Sequence, residues 1–328
     1  MVRRMFLALI LLMAGLALLL GAVWVFGPTE PVLRSGPFIG DVRDPEAYYA
    51  AREAEFDDIT PGTEARVIWA GDAGARTPLT LLYIHGFSAT SEEIRPVPDD
   101  VAAALGANLV YPRLTGHGRP GFAMAEATAG DWIDDTAEAL AVARAVGDRV
   151  LVIGTSTGAT LAAIAMTEPD MAEGVAGVVM ISANFRLANP AGVMLEWPAA
   201  RLWVPWITGA TRSFAIQNAN HGRYWTTSYP TVAALPLAAM MRDARGRDYT
   251  GVSVPLLSIF AEQDQVISAS AARGFAGGWG GAVTLAPQTL PEEGVDPYNH
   301  VIAGDILSPA MSASVTGQIL DWVAAQGL

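Results

Sequence analysis

A chain of 328 residues is long enough for one large α/β domain with insertions or for two ordinary domains. Its 33 acidic residues against 20 basic ones, all of them Arg, give a net charge of −13, which argues against a phosphate-backbone partner; no nucleic acid is expected. The absence of Cys excludes disulfides and a lipid-modified cysteine, and four dispersed His suggest no metal cluster, so no metal or cofactor is expected.

Met5 to Phe26 is a run without a charge, preceded by Arg3 and Arg4. At about 1.5 Å per residue it spans roughly 33 Å, enough for a bilayer core. Ala22-Val-Trp-Val-Phe26 offers no convincing small-residue cleavage site. Residues 1–27 therefore read as an uncleaved transmembrane anchor rather than a removed secretory signal, with the arginines in the cytoplasm and the body exported. Arg3-Arg4-Met5-Phe6-Leu7 also looks like a twin-arginine export signal, which leads to the same side.

Residues 28–64 read as a Pro- and Gly-rich linker followed by an N-terminal extension, with a short helix over Asp44–Phe56. Ala65–Ala70 alternates like an edge strand, and Leu79–Ile84 is an apolar run typical of a strand buried on both faces. Asn108–Tyr111 is a further short strand, and Asp131–Val146 is a helix with Ile133, Ala137, Leu140 and Ala141 at three- and four-residue steps. Val150–Gly154 is a strand, followed by a helix over about 158–167 and a strand at Gly177–Ser182. Between residues 184 and 254 the alternation of strand and helix stops, and Trp197, Trp203, Trp206 and Trp225 fall among apolar residues and prolines; this stretch reads as an inserted helical cap. Strands resume at Leu256–Ala261, with the last at Ala282–Leu285 or Gln288–Leu290, and Ser308–Ala325 closes as a helix. The fold class is α/β: a doubly wound, mostly parallel sheet over 65–183 and 255–328, with the cap between and the N-terminal helix ahead.

The chemistry centres on Gly154-Thr-Ser-Thr-Gly158, a G-x-S-x-G between strand and helix. A serine is a poor nucleophile and needs a base within reach and N–H groups facing the developing oxyanion, so it belongs on a sharp turn. Of the four histidines, His85 and His117 sit in Gly-flanked loops after early strands, His221 lies in the cap, and His300 follows the final strand. Loops after parallel strands gather at one sheet edge, which brings His300 and Glu262-Gln263-Asp264-Gln265-Val266 to the edge that carries Ser156. Glu262, Asp296 and Glu292 remain alternatives to Asp264 as the acid, and Asp264 also reads as an N-cap for a helix starting near Ile267.

Tyr83-Ile-His-Gly-Phe87, Thr115-Gly-His-Gly118, the serine turn, Leu256 to Val266 and Asn299-His300-Val301 together resemble the α/β-hydrolase superfamily over about 65–326, most closely its capped serine esterases and monoacylglycerol-lipase-like hydrolases. The resemblance implies Ser156 as nucleophile, His300 as general base and then acid, Asp264 as orienting acid, and an oxyanion hole from the backbone N–H groups of Phe87 and Thr157. It implies hydrolysis of carboxylic esters, apolar or lipid-like, through an acyl-enzyme. A thioesterase or lysophospholipase is the nearest alternative, and a non-catalytic binding protein on the same fold is the alternative of a different class.

Overall fold

The computed structural model describes residues 2–328. Helix α1 (Val2–Phe26) has no buried side chain, and at about 37 Å it is long and apolar enough to cross a membrane. The stretch after it is extended, as its prolines dictate, but it is not a free tether. Arg34 reaches Glu168 at 3.1 Å and Asp170 at 3.0 Å, and the carbonyl of Glu30 accepts from Arg242 at 2.7 Å. These contacts hold it along the body as a strap up to Asp44, whose side chain caps α2 (Pro45–Glu53) with Pro45 at the first helical position.

The body then alternates strand and helix: β1 (Arg66–Ile68), β2 (Thr77–Ile84), α3 (Val97–Leu105), β3 (Asn108–Tyr111), α4 (Ala129–Val146), β4 (Gly147–Thr155), α5 (Thr157–Ala165), α6 (Pro169–Ala172) and β5 (Val175–Ile181). The interruption holds α7 (Ala200–Thr208), β6 (Thr211–Ser213), α8 (Ala219–Tyr224), β7 (Ser228–Pro230) and α9 (Ala234–Gly246). Strand β8 (Leu256–Ala261), α10 (Ala269–Ala276), β9 (Val283–Gln288) and α11 (Pro309–Gln326) complete the chain. The large sheet has the order β1-β3-β2-β4-β5-β8-β9, and every pair in it is parallel except β1 with β3.

Burial of both faces explains the apolar runs. Leu82, Ile84 and Val152 enter the core under α4, α5 and α9, while Leu81, Tyr83, Leu151 and Ile153 alternate with them into the core under α3 and α11. A strand with two buried faces cannot show polar alternation, so its signature in sequence is continuous hydrophobicity.

Two details depart from the sequence reading. Helix α9 falls in the stretch read as cap, yet Leu237, Ala238 and Met241 are buried in the same core as α4 and α5, so it flanks the sheet as the crossover between β5 and β8. The cap also contains strands: β6 and β7 form a small antiparallel ribbon, with Arg212 opposite Tyr229.

Candidate active site

Strand β4 lies in the middle of the sheet and ends at Thr155; the chain must then reverse within two residues to start α5. Ser156 occupies that reversal at φ 51°, ψ −112°, a conformation that non-glycine residues adopt only when their surroundings impose it. The surroundings are main-chain hydrogen bonds: Ser156 N–H donates to the Ile181 carbonyl at 2.8 Å, and the Ser156 carbonyl accepts from Thr160 and Asn184, each at 3.2 Å. Glycine is required on both sides. A Cβ on Gly154 would lie 2.5 Å from the Gly158 carbonyl carbon, and one on Gly158 would lie 2.0 Å from the Ile84 carbonyl oxygen.

Ser156 Oγ lies 3.0 Å from His300 Nε2, and His300 Nδ1 lies 2.8 Å from Asp264 Oδ2. The three side chains come from loops 36 to 144 positions apart, and all three residues are buried. Asp264 does two things at once. Its Oδ1 accepts from the N–H groups of Val266 at 2.8 Å and Ile267 at 2.9 Å, fixing the loop before α10, while Oδ2 faces the imidazole. One oxygen thus anchors the loop and the other faces the ring; Asp264 does not cap the helix, since α10 starts at Ala269 with Ser268 as its N-cap.

The competing acids sit elsewhere. Glu262 is exposed and pairs with Arg273. Glu292 is exposed. Asp296 is buried, but its Oδ2 accepts from the backbone N–H groups of His300 at 3.1 Å and Val301 at 3.0 Å, so it holds the histidine loop rather than the ring. Ser182, just past the end of β5, helps by donating to the His300 carbonyl at 2.6 Å.

Burial alone would lower the pKa of His300; the adjacent Asp264 carboxylate, with Glu93 and Asp296 further off, outweighs it and raises the pKa above the ordinary imidazole value of 6.5. His85 and His117 are different. Burial pulls His85 down to about 4 and His117 well below its usual value, so both rings stay neutral. The Leu114 N–H donates to His85 Nε2 at 3.3 Å, which assigns the ring proton to Nδ1, where it donates to the Gly86 carbonyl at 2.9 Å. His85 thus shapes the loop that carries Phe87. The Phe87 ring is fixed edge-on against His117, Trp132 and Tyr229, with centroids 5.8, 5.9 and 5.3 Å away.

Glu93 escaped the sequence reading. It is 2% exposed, and a single oxygen, Oε2, accepts from the Gly86 N–H at 2.7 Å and the Tyr83 hydroxyl at 2.8 Å. The same hydroxyl approaches Thr155 Oγ1, next to Ser156, at 3.2 Å. Burial raises the Glu93 pKa to about 7, against the pull of Gly86, Tyr83 and His300. Glu93 therefore ties the loop of Phe87 to the strand end that carries the serine.

The four cap tryptophans separate. Trp225 is buried against His221, Trp203 is half-buried and donates to the Pro198 carbonyl at 3.0 Å, Trp197 meets Trp24 of α1, and Trp206 projects outward. Of the other aromatic residues in this stretch, Tyr229 lies edge-on to Phe87, and Phe214 joins the same apolar cluster with Met124 and Ala233.

Residues 81–305 match the alpha/beta hydrolase family. The chain is 25% identical over 191 residues to the thermostable monoacylglycerol lipase of Bacillus sp. (strain H-257), covering 58% of this chain and 72% of that one. Among solved structures it resembles one from the metagenome-derived lipolytic enzymes LipS and LipT, at TM-score 0.65 and 21% identity, over 81% of this chain and 99% of that one. It also resembles a soluble variant of the monoglyceride lipase of Saccharomyces cerevisiae, at TM-score 0.59 and 11% identity, over 80% of this chain and 91% of the yeast enzyme.

Proposed function

The chain belongs to the alpha/beta hydrolase family, and from that premise we propose that it is a serine hydrolase cleaving carboxylic esters of apolar acyl groups through an acyl-enzyme. The observation that carries the reading is the unbroken line from Ser156 Oγ through His300 to Asp264, at 3.0 and 2.8 Å. Ser156 attacks the acyl carbon as its proton passes to His300 Nε2. The tetrahedral oxyanion collapses, the departing alkoxide takes that proton from Nε2 and leaves as the alcohol, and the acyl group remains on Oγ. Water then gives a proton to Nε2 and attacks the ester, and collapse returns the proton to Oγ as the acid departs.

The oxyanion is received by the N–H groups of Phe87 and Thr157. Thr157 heads α5, where an N–H has no intrahelical acceptor and the helix end favours negative charge. The named lipases among the relatives and the aromatic cluster around Phe87 support an apolar acyl group. Helix α1 is assigned as an uncleaved anchor, with Arg3 and Arg4 on the cytoplasmic side and the body on the other.

The test is hydrolysis of nitrophenyl esters of graded acyl length by the full chain in detergent, with kcat/KM followed against pH. Rates are expected to favour longer acyl chains. Since His300 serves as base only when neutral and its pKa is raised, kcat/KM should climb through a single ionisation above 6.5 and then level off. No turnover of any ester would contradict the assignment, and an acidic limb at or below 6.5 would contradict the raised pKa of His300.

Glu93 gives a second expected result. Removing its carboxyl frees the Gly86 N–H and lets the Phe87 loop drift from the position the oxyanion needs, so Glu93→Ala should lower kcat by about 10²-fold with little change in KM. Glu93→Gln keeps one acceptor oxygen for both donors and should restore most of the loss. Wild-type kcat in the alanine variant, or a glutamine variant as slow as alanine, would show that the acceptor does not position this loop.

A further inference from the structure

Helix α7 begins where α1 ends. The Pro28 carbonyl accepts from the Ala199 N–H at 2.6 Å, Trp24 of α1 packs edge-on against Trp197 with ring centroids 5.3 Å apart, and Glu30 pairs with Arg201 in the first turn of α7. The end of the membrane-length helix is thus fastened to the start of a cap helix. Seen across α7, Ala200 and Val204 face inward and are buried, whereas Leu202, Trp206 and Ile207 are 70%, 90% and 68% exposed. Positions 202 and 206 are one turn apart, so Leu202 and Trp206 form an apolar stripe, with the exposed Ile207 following Trp206 at the end of the helix. Exposed Leu, Trp and Ile grouped on one helix are unusual on a surface that meets only water.

Charge points the same way. The chain has 33 acidic residues, yet none occurs between Glu196 and Asp243, while Arg201, Arg212, Arg223 and Arg242 all do. A segment with no carboxylate of its own, whose Arg201 is balanced by Glu30 and whose helix α7 exposes an apolar stripe that includes Trp, matches the chemistry of a phospholipid interface, where the indole sits at headgroup level. Helix α7 is about 14 Å long, so its outward face stays close to the point where α1 leaves the bilayer.

We propose that the outward face of α7, with Leu202, Trp206 and Ile207, lies in the interface of the bilayer that α1 crosses and turns the cap's approach to Ser156 toward that membrane. This rests on the anchor reading of α1. The chain from this face to the site is short: α7 leads into β6, and Phe214 after β6 joins the apolar cluster of Tyr229 on β7, whose ring lies edge-on to Phe87. Apolar esters therefore reach the cap from the lipid phase, and the products return to it.

Because the protein has no Cys, single cysteines can report on this directly. Leu202→Cys, Trp206→Cys and, as a control at the opposite sheet edge, Glu173→Cys are each made in the full chain, coupled to an environment-sensitive dye and reconstituted in phosphatidylcholine–phosphatidylglycerol vesicles. Brominated lipids should quench the dyes at 202 and 206 several-fold more than the dye at 173. If the protein floats with the vesicles but the dyes at 202 and 206 are quenched no more than the control, α1 is an anchor and the docking of α7 is wrong. If the protein does not float with the vesicles, the anchor reading fails and the docking falls with it.

Discussion

Ser156→Ala is expected to lower kcat for ester hydrolysis by a factor on the order of 10⁶ and to abolish labelling by a fluorophosphonate probe, while the thermal midpoint stays near that of the wild type. The loss is large because the base and the acid have nothing to act on once the hydroxyl is gone, so the three groups fail as a unit rather than in proportion. The fold should persist because the hydrogen bonds that hold the turn come from the main chain: Ser156 N–H to Ile181, and the Ser156 carbonyl from Thr160 and Asn184. Gly154 and Gly158, which let β4 and α5 approach, are untouched. Retained labelling in the alanine variant would move the nucleophile elsewhere. A wild-type protein that binds esters yet neither turns them over nor reacts with the probe would instead be a binding protein on a hydrolase fold.

The serine turn was legible in the sequence because its constraints are local. Two glycines four residues apart, an apolar strand before them and an alanine-rich helix after them leave few other structures for Val150 to Ala165. The buried strands were legible for a related reason, since β2, β4, β5 and β8 are covered on both faces and need uninterrupted apolar residues. Glu93 was not legible. It stands beside Glu92 in Ser91-Glu-Glu-Ile-Arg95, where both acids look like solvated loop residues; Glu92 does pair with Arg66 and Arg95 near the surface, and only the folded loop turns its neighbour inward to Gly86. The boundary of the cap was hidden because α9 is as rich in Ala, Met and Leu as the cap itself, and its membership of the sheet's flank depends on long-range packing against α5. Trp206 shows the opposite limit: an apolar residue in an apolar stretch reads as core or pocket, and that it faces outward follows from which side of α7 the sheet lies on.

Asp264→Asn is expected to lower kcat by roughly 10⁴-fold while leaving stability almost unchanged, because the two oxygens of Asp264 have separable duties. The asparagine carbonyl can take over the bonds from Val266 and Ile267, so the loop before α10 remains anchored. Its amide group then faces His300 Nδ1, and two donors cannot share that contact. The imidazole must shift its proton to Nε2, which points at Ser156 Oγ, and a protonated nitrogen there cannot accept the serine's proton. The charge matters as well. Burial lowers the His300 pKa and the Asp264 carboxylate is the main influence raising it, so neutralising residue 264 should move the acidic limb of the residual activity to lower pH, opposite to the wild-type shift. An asparagine flipped the other way would keep an acceptor toward His300 but set its amide against the Val266 and Ile267 N–H groups, and a lower thermal midpoint would reveal it. Wild-type rates with an unmoved limb would mean that Asp264 serves only as a loop cap. The search would then turn to Asp296, which would have to give up the N–H groups of His300 and Val301 to reach the ring.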